Sequence, residues 1–247
     1  METGLSSDPA MNWQISELDN RAIVSFSDAH SPAKMGRELT VFDLDQPSYQ
    51  AVYEAITNQR IAFTVEFFPE EGKYHYSGHR NCQISYSAKE LKEKGETCPK
   101  CGQGLTIGVA SRVEDLATKI LNFKFQISNG VKWIHSDNSD RPPYVMLVPL
   151  IEIIAEALQL GEQSKAVKDE YDRLIVNFGS ELAVLLKASR EDLEKTISPK
   201  LVETILKVRQ NDIFITPGFD GQYGVVKIWP TQVEEPVLTE SAQMALL

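Results

Sequence analysis

Short apolar runs alternate with amphipathic segments in the first quarter of the chain. Residues 2–9 have the pattern of a strand end and a loop, residues 11–18 that of a helix, and residues 22–26 that of a buried strand. This order predicts an α/β fold with parallel strands, in which the chemistry lies in loops beyond the carboxyl ends of the strands. The pattern continues with a strand at residues 39–42, a helix at residues 48–58 and a strand at residues 60–67.

The last hundred residues are dominated by helical patterns, each preceded by a capping residue. Helices are predicted at residues 148–160, 164–177, 181–187 and 199–209, with a capping box at Ser189 and Asp192. Residues 213–215 and 223–229 flank a Pro-Gly-rich turn and predict a β-hairpin. The glycines of this turn either approach a phosphate or supply positive φ, and the second interpretation needs fewer assumptions. Residues 129–143 predict a loop and a domain boundary.

Residues 72–102 contain all three cysteines of the chain, arranged in two pairs of metal-ligand spacing. Two residues separate His79 from Cys82, and two separate Cys98 from Cys101. Zinc takes four nitrogen or sulfur ligands in a tetrahedron, and this gap lets a tight turn direct both side chains of a pair at one ion. Three ordinary buried cysteines are the alternative, which leaves the spacing unexplained. His75 is also close in sequence, but its distance from Cys82 fits no such turn, so His79 is preferred.

The segment between the two pairs predicts a short helix at residues 87–94. Ser87 and Glu90 have the spacing of a capping box, and Gly95 ends the pattern. Pro99 lies inside the Cys98–Cys101 turn and Gly102 follows it. Both residues favour a backbone that folds around thiolates.

The charge balance argues against a protein that coats nucleic acid without specificity. The chain has 25 basic and 35 acidic residues and a net charge of −10, whereas such binding depends on neutralising phosphates. Within residues 70–112, however, basic residues outnumber acidic ones. This excess fits either a solvated helix face or a surface that contacts DNA phosphates. The candidates for DNA contact are Arg80, Lys89, Lys92 and Lys100.

No apolar run approaches the ~20 residues that span a bilayer, and the first residues lack the pattern of a signal peptide. We therefore predict no membrane partner and a cytoplasmic location. Three cysteines assigned to a metal site also fit a reducing compartment better than a disulfide framework.

Asp28 and His30 follow the predicted strand at residues 22–26. An aspartate and a histidine two residues apart can present an oxygen and a nitrogen to one metal ion. Taken alone, the pair is weak evidence, and a turn-capping aspartate with a surface histidine is the favoured interpretation.

The combination of these motifs resembles a known family. Residues 26–32 around Asp28 and His30, the run Gly36-Arg37-Glu38, residues 71–75 and the two metal pairs are similar, in order and spacing, to the C-terminal half of the endonuclease Q family. That family is part of the polymerase and histidinol phosphatase (PHP) superfamily. The resemblance extends over residues 2–229. It implies a PHP-type (β/α) barrel that cuts DNA beside deaminated bases or abasic sites, with a zinc module and a C-terminal domain that hold the DNA.

The resemblance also implies that Asp28 and His30 are the last metal-ligand motif of the barrel, holding a divalent ion such as Mg²⁺, Mn²⁺ or Zn²⁺ in the intact protein. Archaeal members have a cysteine where this chain has His79, and zinc accepts either. PHP barrels begin with a His-x-His motif, which this chain does not contain. The chain is therefore expected to begin in mid-barrel, as a fragment or a shortened gene product, and to leave the multinuclear site incomplete.

The predicted function is thus part of a metal-dependent DNA endonuclease, inactive alone, and the alternative is a noncatalytic zinc-containing nucleic-acid-binding protein. Such chains are sometimes labelled UvrD-like helicases, but no Gly-x4-Gly-Lys-Ser/Thr loop is present, so no nucleotide triphosphate is expected. Four parts are expected: a barrel segment at residues 1–68, a zinc-ribbon-like module at 69–112, a mainly α-helical domain with a β-hairpin at 113–230, and a disordered acidic tail at 231–247.

Overall fold

Nine strands form three sheets in the part of the chain that the structure describes, residues 1–120, 122–137 and 141–230. The structure is a computed structural model. The strands are β1 Leu39–Phe42, β2 Ile61–Glu66, β3 Ser77–His79, β4 Ile84–Tyr86, β5 Phe123–Ser128, β6 Val131–Ser136, β7 Tyr144–Met146, β8 Phe214–Thr216 and β9 Val225–Lys227. The predicted tail at residues 231–247 lies outside the described residues.

The helices confirm most of the segments predicted from caps and apolar periodicity. They are α1 Pro9–Trp13, α2 Tyr49–Thr57, α3 Ala88–Lys94, α4 Val109–Leu116, α5 Leu150–Leu158, α6 Lys165–Phe178, α7 Arg190–Thr196 and α8 Pro199–Arg209. The side chains of Ser48, Ser87, Ser164 and Ser198 accept hydrogen bonds from the first turns of α2, α3, α6 and α8. None of the described helices is both long and apolar enough to cross a bilayer.

The largest sheet has five strands in the order β1-β2-β7-β6-β5. Only β2 and β7 are parallel, and the other neighbours are antiparallel. The α/β class is confirmed, although the sheet is mixed rather than parallel throughout. The predicted loop at residues 129–143 was wrong for Val131–Ser136, which form β6; residues 138–140 lie outside the described part. The predicted segments 1–68 and 113–230 therefore share one sheet.

The strand predicted at residues 22–26 is reduced to one parallel bridge between Glu2 and Val24. Ile23, Val24 and Ser25 are buried as expected, whereas Phe26 is 46% exposed. Thr40 Oγ1 takes the place of a second backbone partner: it accepts from the Ser25 amide at 2.8 Å and donates to the Ser25 carbonyl at 2.9 Å. The helix predicted at 11–18 begins earlier, because Asp8 caps it and Pro9 fits its first turn. It also ends earlier, at Trp13, and a separate 3-10 turn, Ser16–Leu18, follows.

Two hydrophobic clusters organise these elements. The larger one joins the five-stranded sheet to α5, α6 and α8, and includes Val145, Ile154 and Ile205. The smaller one consists of Tyr86, Leu91, Cys98 and Leu105, all within residues 69–112. The predicted zinc module thus has a small core of its own, while the five-stranded sheet and the C-terminal helices share the other.

A buried arginine at the end of α8 binds the helix that precedes α7. The helix predicted at residues 181–187 is a π-helix over Ala183–Lys187, preceded by Ser180. Arg209 is buried and donates to the carbonyls of Val184 at 2.6 Å and Ala188 at 2.8 Å, and to that of Asn129 in the β5–β6 turn at 3.3 Å. The first two bonds satisfy carbonyls that the end of the π-helix leaves unpaired, and the third joins α8 to the β5–β6 turn.

The carboxyl groups of Glu38 and Glu66 are buried beside the residues that precede the Asp28 loop. Glu66 accepts hydrogen bonds from Thr3 Oγ1 and Ser25 Oγ, both at 3.0 Å, and Glu38 accepts one from the Phe67 amide at 3.3 Å. Burial raises the pKa of Glu66 to about 8 and that of Glu38 to about 7. Both side chains therefore retain a proton that the unfolded chain releases at lower pH.

This difference predicts a pH-dependent stability. Because the ordinary pKa of Glu66 is 4.5 and its folded value is about 8, folding should become less favourable as pH rises between these values. Glu66→Gln should flatten this dependence and raise the free energy of unfolding at pH 8 by roughly 1 to 3 kcal/mol. Urea unfolding at several pH values measures the effect. Glu203→Gln, at an exposed position of α8, is the control, and equal slopes in wild type and Glu66→Gln would contradict the prediction.

Candidate metal centre and nucleic-acid interface

The first metal pair is held by a tight reversal of the chain. His79 ends β3, and the single 3-10 turn Arg80–Cys82 follows it. Gln83 has a left-handed backbone with φ 51°, which returns the chain into β4. The pairing of β3 with β4 therefore fixes where His79 and Cys82 point.

The second pair is held by a backbone loop around Cys98. The Cys98 amide donates to the Gln103 carbonyl at 2.7 Å, and the Gly102 amide donates to the Cys98 carbonyl at 2.9 Å. Gly102 has φ 74°, a conformation that favours glycine. Helix α3 connects the two pairs and has the predicted capping box of Ser87 and Glu90.

The two pairs face each other and form one group. Ligand atoms of His79, Cys82, Cys98 and Cys101 all lie within 4.8 Å of one another, and the Cys101 Sγ to His79 Nδ1 distance is 3.3 Å. In a tetrahedral zinc site with bonds of about 2.3 Å, neighbouring ligand atoms are about 3.8 Å apart. The group can therefore hold one metal ion, and its three sulfurs and one nitrogen are ligands that zinc accepts.

Two thiols of this group have pKa values that are shifted in opposite directions. Burial raises the pKa of Cys98, but hydrogen bonds from His79 and from the Lys100 and Cys101 amides overcome this and lower it to about 6. Burial and the neighbouring thiols raise the pKa of Cys82 to about 11. Thiolates so close together repel one another, and a divalent cation between them would allow all of them to ionise.

His75 lies outside this group. It is 7% exposed, stacks on Tyr76 with ring centroids 5.4 Å apart, and its Nδ1 has no hydrogen-bond partner among the described residues. Burial lowers its pKa to about 4, so the imidazole is neutral at physiological pH. The structure thus brings His79, and not His75, together with the cysteines.

Asp28 and His30 are both exposed on the loop after residue 26. His30 Nδ1 lies 2.9 Å from the backbone oxygen of Asp28, and Asp28 has a left-handed backbone with φ 43°. Arg37 Nε donates to the Ser27 carbonyl at 2.8 Å and so holds the loop. Within residues 1–120, 122–137 and 141–230, no third histidine, cysteine or carboxylate joins the pair in a metal-binding group.

The turn of the C-terminal hairpin β8–β9 packs against the Cys/His module and forms hydrogen bonds with it. Asp220 Oδ2 accepts from the Arg80 amide at 2.7 Å, and Oδ1 accepts from Thr106 Oγ1 at 2.6 Å. A Cβ added to Gly218 would lie 2.4 Å from the Gly72 carbonyl, and one added to Gly224 would lie 2.2 Å from that of Glu70. Close backbone contact therefore explains these two glycines. Asp220 was not among the residues predicted from the sequence.

The four predicted DNA-contact residues, Arg80, Lys89, Lys92 and Lys100, are all exposed. Lys92 forms an ion pair with Glu114 at 2.7 Å, which reduces the charge it can offer. The neighbours of Arg80 on the hairpin side were not predicted as site residues from the sequence. Lys73 Nζ lies 4.5 Å from the centre of the Tyr223 ring, and Tyr74 lies beside Gly221.

Two segments of the chain match known families. Residues 17–61, which include Asp28 and His30, match the family described as PHP-associated, and residues 149–212 match the MJ0043 C-terminal domain. The chain is 35% identical over 242 residues to the uncharacterized protein MJ0043 of Methanocaldococcus jannaschii, covering 95% of this chain and 29% of that protein. It is 29% identical over 232 residues to YqxK of Bacillus subtilis, covering 92% and 52%.

Fold and sequence together identify a PHP-associated segment and a Cys/His module in this chain. The predicted resemblance to the C-terminal half of endonuclease Q is confirmed. PfuEndoQ from Pyrococcus furiosus, described as a novel lesion-specific endonuclease, superposes with a TM-score of 0.76 at 31% identity, over 94% of this chain and 56% of that chain. Endonuclease Q in complex with a 27-mer duplex substrate with an abasic lesion at the active site gives 0.73 and 31%, over 94% and 57%. The chain spans little more than half of these solved relatives.

The Cys/His group predicts the metal content of the purified chain. Wild type should contain about one zinc ion per chain, and Cys101→Ser should lose it together with much of the module's stability. His79→Ala should also lose zinc, whereas His75→Ala should keep it. Elemental analysis combined with thermal unfolding measures both. Full zinc in His79→Ala with loss in His75→Ala would show that the fourth ligand is His75.

The hairpin contact predicts that a residue far along the chain tunes the metal affinity. Asp220→Ala removes the acceptor that holds the Arg80 amide, next to the ligand His79, and should weaken zinc binding by about 10- to 100-fold. Competition with a chromophoric chelator measures the affinity. Asp169→Ala, on an exposed position of α6, is the matched control. Unchanged affinity in Asp220→Ala would mean that the hairpin only packs against the module.

Proposed function

We propose that this chain is the zinc-binding and DNA-binding part of a metal-dependent DNA endonuclease that acts at deaminated bases or abasic sites in DNA repair. The observation that carries the proposal is the match to endonuclease Q over 94% of the chain, at 31% identity and a TM-score of 0.76. The solved complex of that relative with an abasic duplex supports DNA as the partner. The cytoplasmic location stays a prediction.

The zinc assignment rests on the closed Cys/His group. Four protein ligands leave no open position for a substrate, which is typical of a structural rather than a catalytic site. The proposed role of this ion is to hold β3, β4 and α3 in place, so that Arg80, Lys89, Lys92 and Lys100 are presented to DNA phosphates. Their exposure supports this role.

A second metal site is proposed for the intact protein at Asp28 and His30. A divalent ion there, such as Mg²⁺, Mn²⁺ or Zn²⁺, would polarise the phosphate and activate water. The two side chains would act as ligands, and Arg37 would position their loop through the Ser27 carbonyl. We also propose the domain limits 1–68, 69–112 and 113–230, of which the first and third share a sheet.

A noncatalytic nucleic-acid-binding protein is the second candidate. It is favoured by the exposed position of Asp28 and His30 and by the lack of a third ligand beside them in the described part of the chain. The coding sequence upstream of Met1 separates the two hypotheses. A His-x-His motif and further ligands encoded there would support the endonuclease, whereas a natural start at Met1 would support the binding protein.

The two-ligand set predicts that this chain alone binds DNA weakly and does not cut it, because a catalytic ion held by two side chains would be loosely placed. The assay incubates the chain with Mn²⁺ or Mg²⁺ and duplexes that carry a single deoxyinosine, uracil or abasic site. We expect no nick, and binding that weakens steeply with salt. Asp28→Asn is the control: a nick beside the lesion that disappears in this variant would show that the chain does complete a catalytic site.

A further inference from the structure

Strand β5, Phe123–Ser128, is one edge of the five-stranded sheet. It pairs with β6 on one side, and no other strand in the described part of the chain lies along its second side. Every residue of the strand after Phe123 is exposed, including Phe125 at 49% and Ile127 at 67%. An open strand edge offers unpaired backbone groups to any strand that can pair with them. We call this open side of β5 the β5 edge.

The hairpin turn between β5 and β6 fixes which backbone groups point to the β5 edge. Asn129 and Gly130 have φ of 52° and 74°, as in a two-residue type I′ turn, and at the far end of the hairpin the Asp137 amide donates to the Asn122 carbonyl at 3.2 Å. Hydrogen-bonded pairs alternate along antiparallel strands, so the even-numbered residues of β5 bond to β6. The amides and carbonyls of the odd-numbered residues therefore face the β5 edge; these residues are Phe123, Phe125 and Ile127.

The strand has none of the features by which sheet edges usually avoid association. It contains no proline, its pairing with β6 runs without a register shift, and its one charged residue, Lys124, forms an ion pair with Asp137 at 2.9 Å. The opposite edge of the sheet differs, because the pairing of β1 is irregular between Val41 and Phe42. The β5 edge is thus the regular and apolar edge of this sheet.

The β5 sequence is complementary to a second copy of itself in the antiparallel orientation. With Phe125 opposite Phe125 of the second copy, Phe123 lies opposite Ile127, so each pair whose backbone groups face each other is apolar. On the other face of the sheet, Lys124 lies opposite Gln126, and no like charges meet. This register forms about six backbone hydrogen bonds around a twofold axis.

We infer that this chain forms a twofold-symmetric dimer through the β5 edge, in which the two five-stranded sheets become one continuous sheet. The inference is independent of the proposed function, because none of the proposed metal ligands or DNA-contact residues lies in β5. Each chain uses its β5 edge once, so assembly stops at the dimer. One strand pair is expected to bury less than the about 800 Å² per partner of stable complexes, so we expect a dissociation constant in the micromolar range.

Sedimentation velocity of the zinc-loaded full chain, over a range of protein and salt concentrations, measures the association. Wild type should convert from monomer to dimer as its concentration rises and should form no larger species. Because each chain has a net charge of −10, added salt should screen the repulsion between copies and strengthen the dimer. DNA binding weakens with salt, so the two kinds of association respond in opposite directions.

Two variants test the β5 edge directly. Phe125→Lys places like charges opposite each other at the twofold axis and should weaken the dimer by roughly tenfold or more. Ile127→Pro removes an amide that faces the edge but keeps the bonds to β6, so it should stay folded and be monomeric. Val176→Lys, at an 84% exposed valine of α6, is the matched control and should dimerise as wild type does. Thermal unfolding checks that each variant is folded.

Amide hydrogen exchange followed by NMR identifies the interface independently of these variants. In the monomer the Phe125 and Ile127 amides face solvent and should exchange rapidly, whereas the Gln126 amide is bonded to β6 and should exchange slowly. As the protein concentration rises, the first two amides should become protected.

Three outcomes would overturn the inference. One is a wild type that stays monomeric, or forms ever larger species, at concentrations well above the micromolar range. Another is a dimer of unchanged affinity in both Phe125→Lys and Ile127→Pro, which would place the interface elsewhere. The third is protection of the Phe125 and Ile127 amides that does not depend on protein concentration, which would mean that another segment of the same chain covers the edge.

Discussion

The convergence of His79, Cys82, Cys98 and Cys101 is the constraint on which the middle of the molecule depends. Residues 69–112 bury only Tyr86, Leu91, Cys98 and Leu105 in a cluster of their own. So small a core supplies little folding free energy, which is why modules of this size use a metal or disulfides. One of the four core residues, Cys98, is itself a candidate ligand, so metal binding and core packing are coupled here.

The hairpin is the second support of that module and links it to the rest of the chain. Asp220 binds the Arg80 amide across 140 residues, while Ile228, just after β9, is buried in the larger cluster with the sheet and α8. The Ile228 and Trp229 amides also donate to Glu156 of α5, at 2.8 and 2.9 Å. The module, the sheet and the C-terminal helices therefore meet at one short segment, and a change in the hairpin affects all three.

The Asp28 loop contrasts with this arrangement. The residues that precede the loop are held by hydrogen bonds: Glu66 accepts from Ser25 and Thr3, and Arg37 donates to the Ser27 carbonyl. Asp28 and His30 themselves are exposed. A loop that is held at its base while Asp28 and His30 stay exposed suits the metal site that we propose for the intact protein.

The sequence by itself determined the features that depend on neighbouring residues. The capping box of Ser87 and Glu90, the serine caps of α6 and α8, and the spacing of the metal pairs involve residues at most a few positions apart, so their geometry is encoded locally. Strand β6 pairs with the adjacent β5 across the Asn129-Gly130 turn, a local hairpin signal that was not used in the prediction. Only the tertiary structure decided the single bridge at Val24, the π-helix capped by Arg209, and the contact of Asp220 with the module. Each of these depends on a partner that is distant in the chain, and no local pattern specifies which distant group will satisfy a buried amide or carbonyl.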